Sequence, residues 1–95
     1  LGFKAHMGAG SITSNVKADK KNVVIKGKDF NIETNLKKVG AMLGDYCDIG
    51  CNSVLNPGTV VGRKTNIYPC SCVRGVVPED SVYKSKTEIA GKIYE

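Results

Sequence analysis

The chain has 95 residues, a formal net charge of +5, four cysteines and a single histidine. This length allows one domain with a modest core of its own, so we expect a homo-oligomer or a segment of a longer protein. No stretch resembles a signal peptide or the run of roughly 20 apolar residues that spans a bilayer, which predicts a soluble cytoplasmic protein without a membrane partner. The lysines are scattered and aromatic residues are few, which argues against a nucleic-acid partner.

Residues 1–13 already show a period of six. Leu1 and Met7 are each followed by glycine, and the small residues Ala5 and Ser11 come four places after them. This spacing predicts one partial coil of a repeat structure. Because the pattern is already running at Leu1 and no initiator Met precedes it, we expect the chain to be the C-terminal segment of a longer protein.

Residues 14–41 leave the period, which would place charged side chains such as Lys17 and Asp29 in the interior. The runs NVVIK and FNIETNL are rich in strand formers, and Gly27-Lys28-Asp29 separates them, which predicts an inserted β-hairpin with Lys26 and Lys28 at its tip. A phosphorylated small ligand would explain the crowding of lysines in this half of the chain. Those lysines are Lys17, Lys20, Lys21, Lys26, Lys28, Lys37 and Lys38.

Residues 43–78 form six blocks of six residues: LGDYCD, IGCNSV, LNPGTV, VGRKTN, IYPCSC and VRGVVP. Each block opens with an aliphatic residue and has a small or β-branched residue at its fifth place, from Cys47 to Val77. Neither the helical nor the strand period produces this pattern, whereas a short strand and a tight corner, repeated, do. A β-sandwich is the alternative, but its turns recur irregularly at roughly 8–12 residues. We therefore predict a β-solenoid with glycine corners of positive φ and close backbone approach.

The cysteines and the C-terminal residues are less informative. The spacing CxxxC followed by CxC matches no common zinc site, so we predict no metal site and four free thiols, with Cys47 pointing inward. After Pro78 the period ends, and residues 79–95 form a tail that either caps the solenoid or packs on a neighbour.

Three segments, MGAGSITSN, GDYCDIGCNSV and NPGTVVG, resemble the C-terminal domain of sugar-1-phosphate nucleotidyltransferases. The resemblance covers nearly the whole chain. It is nearest to glucose-1-phosphate thymidylyltransferase and UDP-N-acetylglucosamine pyrophosphorylase types, which are related to the bifunctional uridyltransferase/glucosamine-1-phosphate acetyltransferase. It implies an all-β fold, a left-handed parallel β-helix of hexapeptide repeats with an inserted β-hairpin. It also implies a homotrimer with sugar-1-phosphate and CoA-type ligands between subunits. The handedness comes from the resemblance alone, since parallel crossovers are generally right-handed.

The resemblance also implies site residues for acetyl transfer from acetyl-CoA to an amino-sugar 1-phosphate. Asn15 falls on a catalytic asparagine near the acyl group, and Lys21 falls on a substrate-binding lysine. Three positions are implied to bind the cofactor. Lys86 falls on a basic side chain for the 3′-phosphate of CoA, Cys51 replaces a serine that contacts CoA, and Pro69 replaces a small alanine and lacks an N–H donor.

Acyl transfer to an amine also needs a base, usually a histidine. His6 does not align with the catalytic histidine of the family, which would lie upstream of Leu1, so we expect no acetyltransferase activity from these residues alone. A lone histidine likewise argues against the zinc hydratases built on the same solenoid, which use three histidine ligands. The alternative function is a non-catalytic trimerisation or regulatory domain of a nucleotide-sugar pyrophosphorylase, suggested by the departures at Cys51 and Pro69.

Overall fold

The computed structural model describes residues 1–85 and 88–91, and this part of the chain consists of short β-strands joined by turns. Most of the strands contain only two residues, as the repeat of six predicts. The strands are β1 (His6–Met7), β2 (Ile12–Thr13), β3 (Val24–Lys26), β4 (Asn31–Glu33), β5 (Met42–Leu43), β6 (Asp48–Ile49), β7 (Val54–Leu55), β8 (Val60–Val61), β9 (Asn66–Ile67), β10 (Cys72–Val73), β11 (Val76–Val77), β12 (Ser81–Ser85) and β13 (Glu88–Gly91).

The strands stack into three flat sheets that form the faces of a prism. Face 1 contains β1, β6, β9 and β12 in parallel, with β13 antiparallel at its edge, face 2 contains β2, β7 and β10, and face 3 contains β5, β8 and β11. The chain visits the faces in turn, so each coil advances one strand on every face. This is the predicted all-β, parallel β-helix of hexapeptide repeats with an inserted hairpin, and the predicted fold class is confirmed.

One regular coil takes three blocks of six residues. Asp48 on face 1 lies beside Asn66 in the next coil, eighteen residues later. His6 lies beside Asp48 in the same way, but 42 residues separate them, and the difference of 24 is the extra length of the insertion. The insertion leaves at the corner between face 2 and face 3, which we call the second corner. The corner between face 1 and face 2 is the first corner.

The interior of the prism is built from two kinds of side chain, as the period predicts. In residues 43–78 the aliphatic openers of the blocks are buried, and so are the fifth-place residues except the half-buried Ser71, with Cys47 only 1% exposed. The buried hydroxyls donate to carbonyl groups at the corners: Ser53 to Tyr68, and Thr59 to Asn56 at 2.6 Å. Since a buried unpaired hydroxyl is costly, these bonds allow polar residues to fill a space too narrow for larger side chains.

The sixth block departs from the expected register. Val77 was expected at a small inward position, but it stacks beside the opener Val61 on face 3, only sixteen residues later. Gly75, with φ of 75°, makes the shorter turn before β11. Tyr83 then stacks beside the opener Ile67 and is buried, so the solenoid continues past Pro78 into β12 before β13 turns back along it. The strict spacing of six is therefore lost in the sixth block, although the wall itself continues beyond Pro78.

The corners also use glycine differently from the prediction. Gly44 does not have a positive φ, but a Cβ there would lie 2.6 Å from the backbone nitrogen of Arg63 in the next coil, so close approach is what requires glycine. Positive φ occurs instead at the fourth place of the blocks, where non-glycine residues such as Tyr46, Asn52 and Lys64 adopt it. The prediction of close approach is confirmed, and that of positive φ at these glycines is wrong.

None of the described residues belongs to a helix long and apolar enough to cross a lipid bilayer.

The contribution of the buried hydroxyl groups to stability can be tested at Thr65, which is 0% exposed. Its hydroxyl donates to the Pro78 carbonyl at 2.7 Å and accepts from the Ser81 N–H at 3.3 Å. Thr65→Val keeps the shape but leaves both groups unpaired, so we expect the free energy of unfolding to fall by about 1–3 kcal/mol. Urea unfolding measures this, with the exposed Thr13→Val as the matched control. Equal stability of the two variants would contradict the role of the hydroxyl.

Candidate functional site

The insertion starts and ends at the same place on the second corner. The Val39 N–H donates to the Asn15 carbonyl at 3.0 Å, and Val16 pairs with Lys38 in an antiparallel bridge. The two ends of the insertion are thus held side by side, and the chain re-enters the coil at β5 in register with β8.

Beyond this stem the insertion forms the predicted hairpin. Strands β3 and β4 pair antiparallel, with Ile25 opposite Ile32, which confirms the hairpin. Its base is anchored by Val23, which is 0% exposed and whose carbonyl accepts the Thr34 hydroxyl at 2.6 Å. Lys26 is the last residue of β3 rather than part of the tip, and its backbone position is therefore fixed by the strand.

The hairpin rests on glycine corners of the solenoid. Gly58 has φ of 81°, and a Cβ there would lie 2.9 Å from Val23 Cγ1. In the next coil, a Cβ on Gly75 would lie 3.2 Å from the Lys26 carbonyl oxygen. The absence of side chains at these two positions of the second corner allows the hairpin backbone to lie directly against the wall.

A cleft of about 580 Å³ lies between the insertion and this wall, and we call it the hairpin cleft. Its charged lining comes from three segments that are distant in sequence: Lys17 and Asp19 from the loop, Lys26 from β3, and Arg74 from the turn between β10 and β11. The uncharged part of the lining includes Ser14, Val16 and the corner residues 56–58. The fold therefore gathers three cations and one carboxylate around one opening.

The carboxylate is held within the loop. Asp19 lies 3.6 Å from the Lys17 ammonium and accepts the Lys21 backbone N–H at 2.9 Å. That N–H bond is the main cause of a pKa lowered from the ordinary value of the carboxyl group. Lys26 and Arg74 take part in no ion pair within residues 1–85 and 88–91. The hairpin cleft is therefore positively charged.

The predicted catalytic and substrate-binding residues lie at this corner. Asn15 is exposed, and its neighbours Ser14 and Val16 line the hairpin cleft. Lys21 is also exposed, and its backbone is tied to Asp19 in the lining. Neither side chain is itself part of the lining, but both belong to the loop that forms it.

The predicted cofactor-binding residues lie elsewhere. Cys51 and Pro69 occupy the first corner in adjacent coils, where the Cys70 N–H donates to the Cys51 carbonyl at 2.9 Å. Both side chains are exposed, and Pro69 borders a second cleft of about 460 Å³ that also contains Arg74 and Tyr83. Lys86 falls outside the described residues. Within one chain the two predicted groups are thus on different corners of the prism.

His6 lies in β1 on face 1, and its Nδ1 is 3.1 Å from Asp48 Oδ1 in the neighbouring coil. Sequence reasoning did not find this pair, because the two residues are 42 positions apart and become neighbours only when the insertion is skipped. It missed the grouping of Lys17, Lys26 and Arg74 for the same reason. The signal that could have revealed both groupings is the stacking of the blocks, which makes residues of successive coils neighbours.

The four cysteines are free thiols, as predicted. Cys47 is buried, and burial raises the pKa of its thiol above the ordinary value. The other three are exposed. In the part of the chain that the structure describes, no cluster of three or more metal-ligating side chains is present.

Known proteins with similar sequences are larger and bifunctional. A bifunctional sugar-1-phosphate nucleotidylyltransferase/acetyltransferase of Sulfurisphaera tokodaii is 30% identical over 79 residues, which are 83% of this chain and 20% of that protein. Proteins named bifunctional protein GlmU from Methanococcus maripaludis and Methanococcus vannielii are 32% and 29% identical, covering 88% and 97% of this chain but 20% and 22% of their own lengths. The matched part is their C-terminal region. No known family profile matches the chain.

The chain is a homologue of the C-terminal region of GlmU-type proteins. The family resemblance drawn from MGAGSITSN and the segments after it is confirmed at this level. The name of the Sulfurisphaera tokodaii relative states both nucleotidylyltransferase and acetyltransferase activities. The chain spans about a fifth of the length of these relatives.

The packing of the hairpin against the second corner can be tested at Gly58. Gly58→Ala places a side chain at positive φ and against Val23, so we expect a loss of about 1–2 kcal/mol from the backbone conformation alone, with loosening of the hairpin. Hydrogen exchange of the β3 and β4 amides measures the loosening. Gly40→Ala is the control, because a Cβ there makes only ordinary contacts at 3.7 Å with Thr13. Unchanged exchange in Gly58→Ala would contradict this packing.

Thiol burial gives a second test. At neutral pH we expect iodoacetamide to modify the three exposed cysteines of the folded protein and to spare Cys47, whose raised pKa keeps it as the less reactive thiol. Because burial raises the pKa of the Cys47 thiol, a higher pH is needed before its reactive thiolate forms. Mass spectrometry of peptides measures the modification, and denatured protein, in which all four react, is the control. Rapid labelling of Cys47 in folded protein would contradict its burial.

Proposed function

We propose that the chain belongs to the acetyltransferase domain of a larger bifunctional protein, and that the intact trimer of that protein transfers an acetyl group from acetyl-CoA to the amine of an amino-sugar 1-phosphate. The carrying observation is the match of 83% of the chain to the C-terminal region of a relative named for acetyl transfer as well as nucleotidyl transfer. The proposed assembly is a homotrimer in the cytoplasm, a reducing compartment in which the four free thiols persist.

The position of Asn15 supports this proposal. The regular wall breaks at this residue, and the stem bond from the Val39 N–H holds its backbone at the edge of the hairpin cleft. Its exposed side chain can donate a hydrogen bond to a carbonyl group through the amide nitrogen. In our proposal this donor stabilises the oxyanion that forms on the acetyl carbonyl group. Lys21, in the same loop, binds the sugar phosphate through its ammonium group.

The reaction itself is a direct exchange of bonds at the acetyl carbon. The neutral amine attacks the thioester carbonyl, a C–N bond forms, and the C–S bond breaks. The amine nitrogen loses a proton to a base, and the leaving thiolate becomes the thiol of CoA. The predicted base is a histidine upstream of Leu1, and His6 with Asp48 is a separate pair on face 1.

The separation of the two predicted groups supports a site shared between chains. Asn15 and Lys21 lie at the second corner, whereas Cys51 and Pro69 lie at the first corner and are proposed to contact the co-substrate acetyl-CoA. The exposed apolar side chains support assembly, because an isolated subunit of this size rarely exposes so many. They include Leu1, Phe3, Ile12, Phe30, Ile32, Leu36, Tyr46 and Tyr68.

Transfer is tested with the intact protein, acetyl-CoA and either glucosamine 1-phosphate or galactosamine 1-phosphate, by following thiol release. We expect Asn15→Ala to lower kcat by about 100-fold, as the loss of one oxyanion donor does. We expect Lys21→Ala to raise KM for the sugar phosphate by about 10- to 100-fold. Lys20→Ala, which removes the same charge from the adjacent exposed position, is the control.

An absence of thiol release by trimeric wild-type protein would refute acetyl transfer. A Lys20→Ala defect as large as that of Lys21→Ala would refute the assigned role of Lys21.

A second candidate is a non-catalytic domain that trimerises or regulates a nucleotide-sugar pyrophosphorylase. The observation that favours it is Pro69 on the exposed first corner, where the wall offers no N–H to a ligand. This candidate predicts a trimer in sedimentation experiments and no acetyl transfer. A stable monomer in dilute solution would contradict it.

A further inference from the structure

We propose that the hairpin cleft is a binding site for the phosphate group of a small ligand, with Lys17, Lys26 and Arg74 as the groups that contact it. None of these three residues is among those implied by the family resemblance. The identity of the ligand rests on the proposed function, whereas the site rests on the geometry of the cleft.

The first support is convergence. Lys17 comes from the loop, Lys26 from strand β3 of the hairpin, and Arg74 from the turn that precedes β11, yet all three line one opening. Two of the three positions are fixed by structure: Lys26 by pairing with Asn31 across the hairpin, and Arg74 by the shortened turn at Gly75. Lysines that serve only to solvate a surface have no need to converge from separate segments.

The second support is the charge balance of the cleft. Its lining contains one carboxylate, Asp19, which is engaged by Lys17 and by the Lys21 N–H. Among the described residues, Lys26 and Arg74 have no carboxylate partner, although the pair of Arg63 with Glu79 shows that the fold forms ion pairs elsewhere. An anion in the cleft would supply the missing negative charge. The Arg74 guanidinium can hold two phosphate oxygens at once, and the Lys26 ammonium adds a point charge.

The third support is size. The cleft volume of about 580 Å³ lies within the range of roughly 300–1,000 Å³ that small-molecule sites occupy. Arg74 also borders the second cleft, beside Pro69. A sugar 1-phosphate and CoA both carry the chemistry that this site would recognise, a phosphate group on a small molecule, and the test must separate them.

Isothermal titration of the intact protein with glucosamine 1-phosphate, CoA and dephospho-CoA tests the site. The cleft variant is Lys26→Gln/Arg74→Gln, which removes two charges and keeps most of the side-chain length. Its matched control is Lys28→Gln/Lys37→Gln, which removes two charges from exposed positions of the same insertion outside the cleft lining. Thermal unfolding verifies that both variants fold.

We expect the cleft variant to bind at least one of these ligands about 10- to 100-fold more weakly and the control variant to bind within about twofold of wild type. Weakening for glucosamine 1-phosphate assigns the cleft to the sugar phosphate. Weakening for CoA but not for dephospho-CoA assigns it to the 3′-phosphate, and equal weakening of both assigns it to the diphosphate.

Three results would overturn the proposal: no binding of any of these ligands to wild type, equal affinity in the cleft variant, or an equal loss in the control. The titration measures binding rather than transfer, so its outcome is separable from the proposed function. A protein that binds phosphate in the cleft without releasing thiol refutes acetyl transfer alone. A protein that transfers acetyl groups but binds equally well after the cleft substitutions refutes the phosphate site alone.

Discussion

The narrow interior of the prism is the constraint on which the rest of the structure depends. Strands of two residues make few hydrogen bonds each, so stability has to accumulate by stacking one coil on the next. Stacking is possible only if each coil presents the same two inward side chains, one aliphatic and one small. The hydroxyls of Ser53, Thr59 and Thr65 fit this space because the corner carbonyls accept their hydrogen bonds. The core of the prism therefore contains buried hydroxyl groups, all hydrogen-bonded, beside its aliphatic side chains.

This constraint leaves the corners as the part of the fold that can vary. The interior must repeat, and so must the inward halves of the three faces, but a corner can carry any residue that tolerates the turn. The second corner carries a whole hairpin, seated on Gly58 and Gly75. The first corner carries Cys51 and Pro69 instead. The side chains with distinctive chemistry therefore lie at the corners of the prism, whereas the regular strands between the corners supply spacing and rigidity.

Much of the fold could be predicted from the sequence because each block of six residues specifies one strand and one corner. The aliphatic openers, the inward Cys47 and the inserted hairpin all follow from local pattern. The shortened sixth block could not be predicted in this way, because Gly75 allows either turn length and only the stacking of Val77 on Val61 selects one.

The candidate site was less accessible to sequence reasoning. Asn15 and Lys21 could be placed at the break in the period, but the hairpin cleft depends on Arg74, which lies 57 positions after Lys17 in the sequence. The pair of His6 and Asp48 is hidden for the same reason. Periodicity predicts which residues face inward. It does not predict which outward residues line the same cleft once an insertion interrupts the six-residue spacing.

The stem of the insertion has a consequence for the evolution of the protein. Because the bond from Val39 to Asn15 and the bridge between Val16 and Lys38 hold both ends of the excursion together, the chain resumes the wall at β5 in register with β8. Beyond the stem, the hairpin meets the wall at Gly58 and Gly75. A different loop at the second corner would therefore have to keep the stem and these two contacts, whereas the residues that face the cleft could change and alter ligand preference.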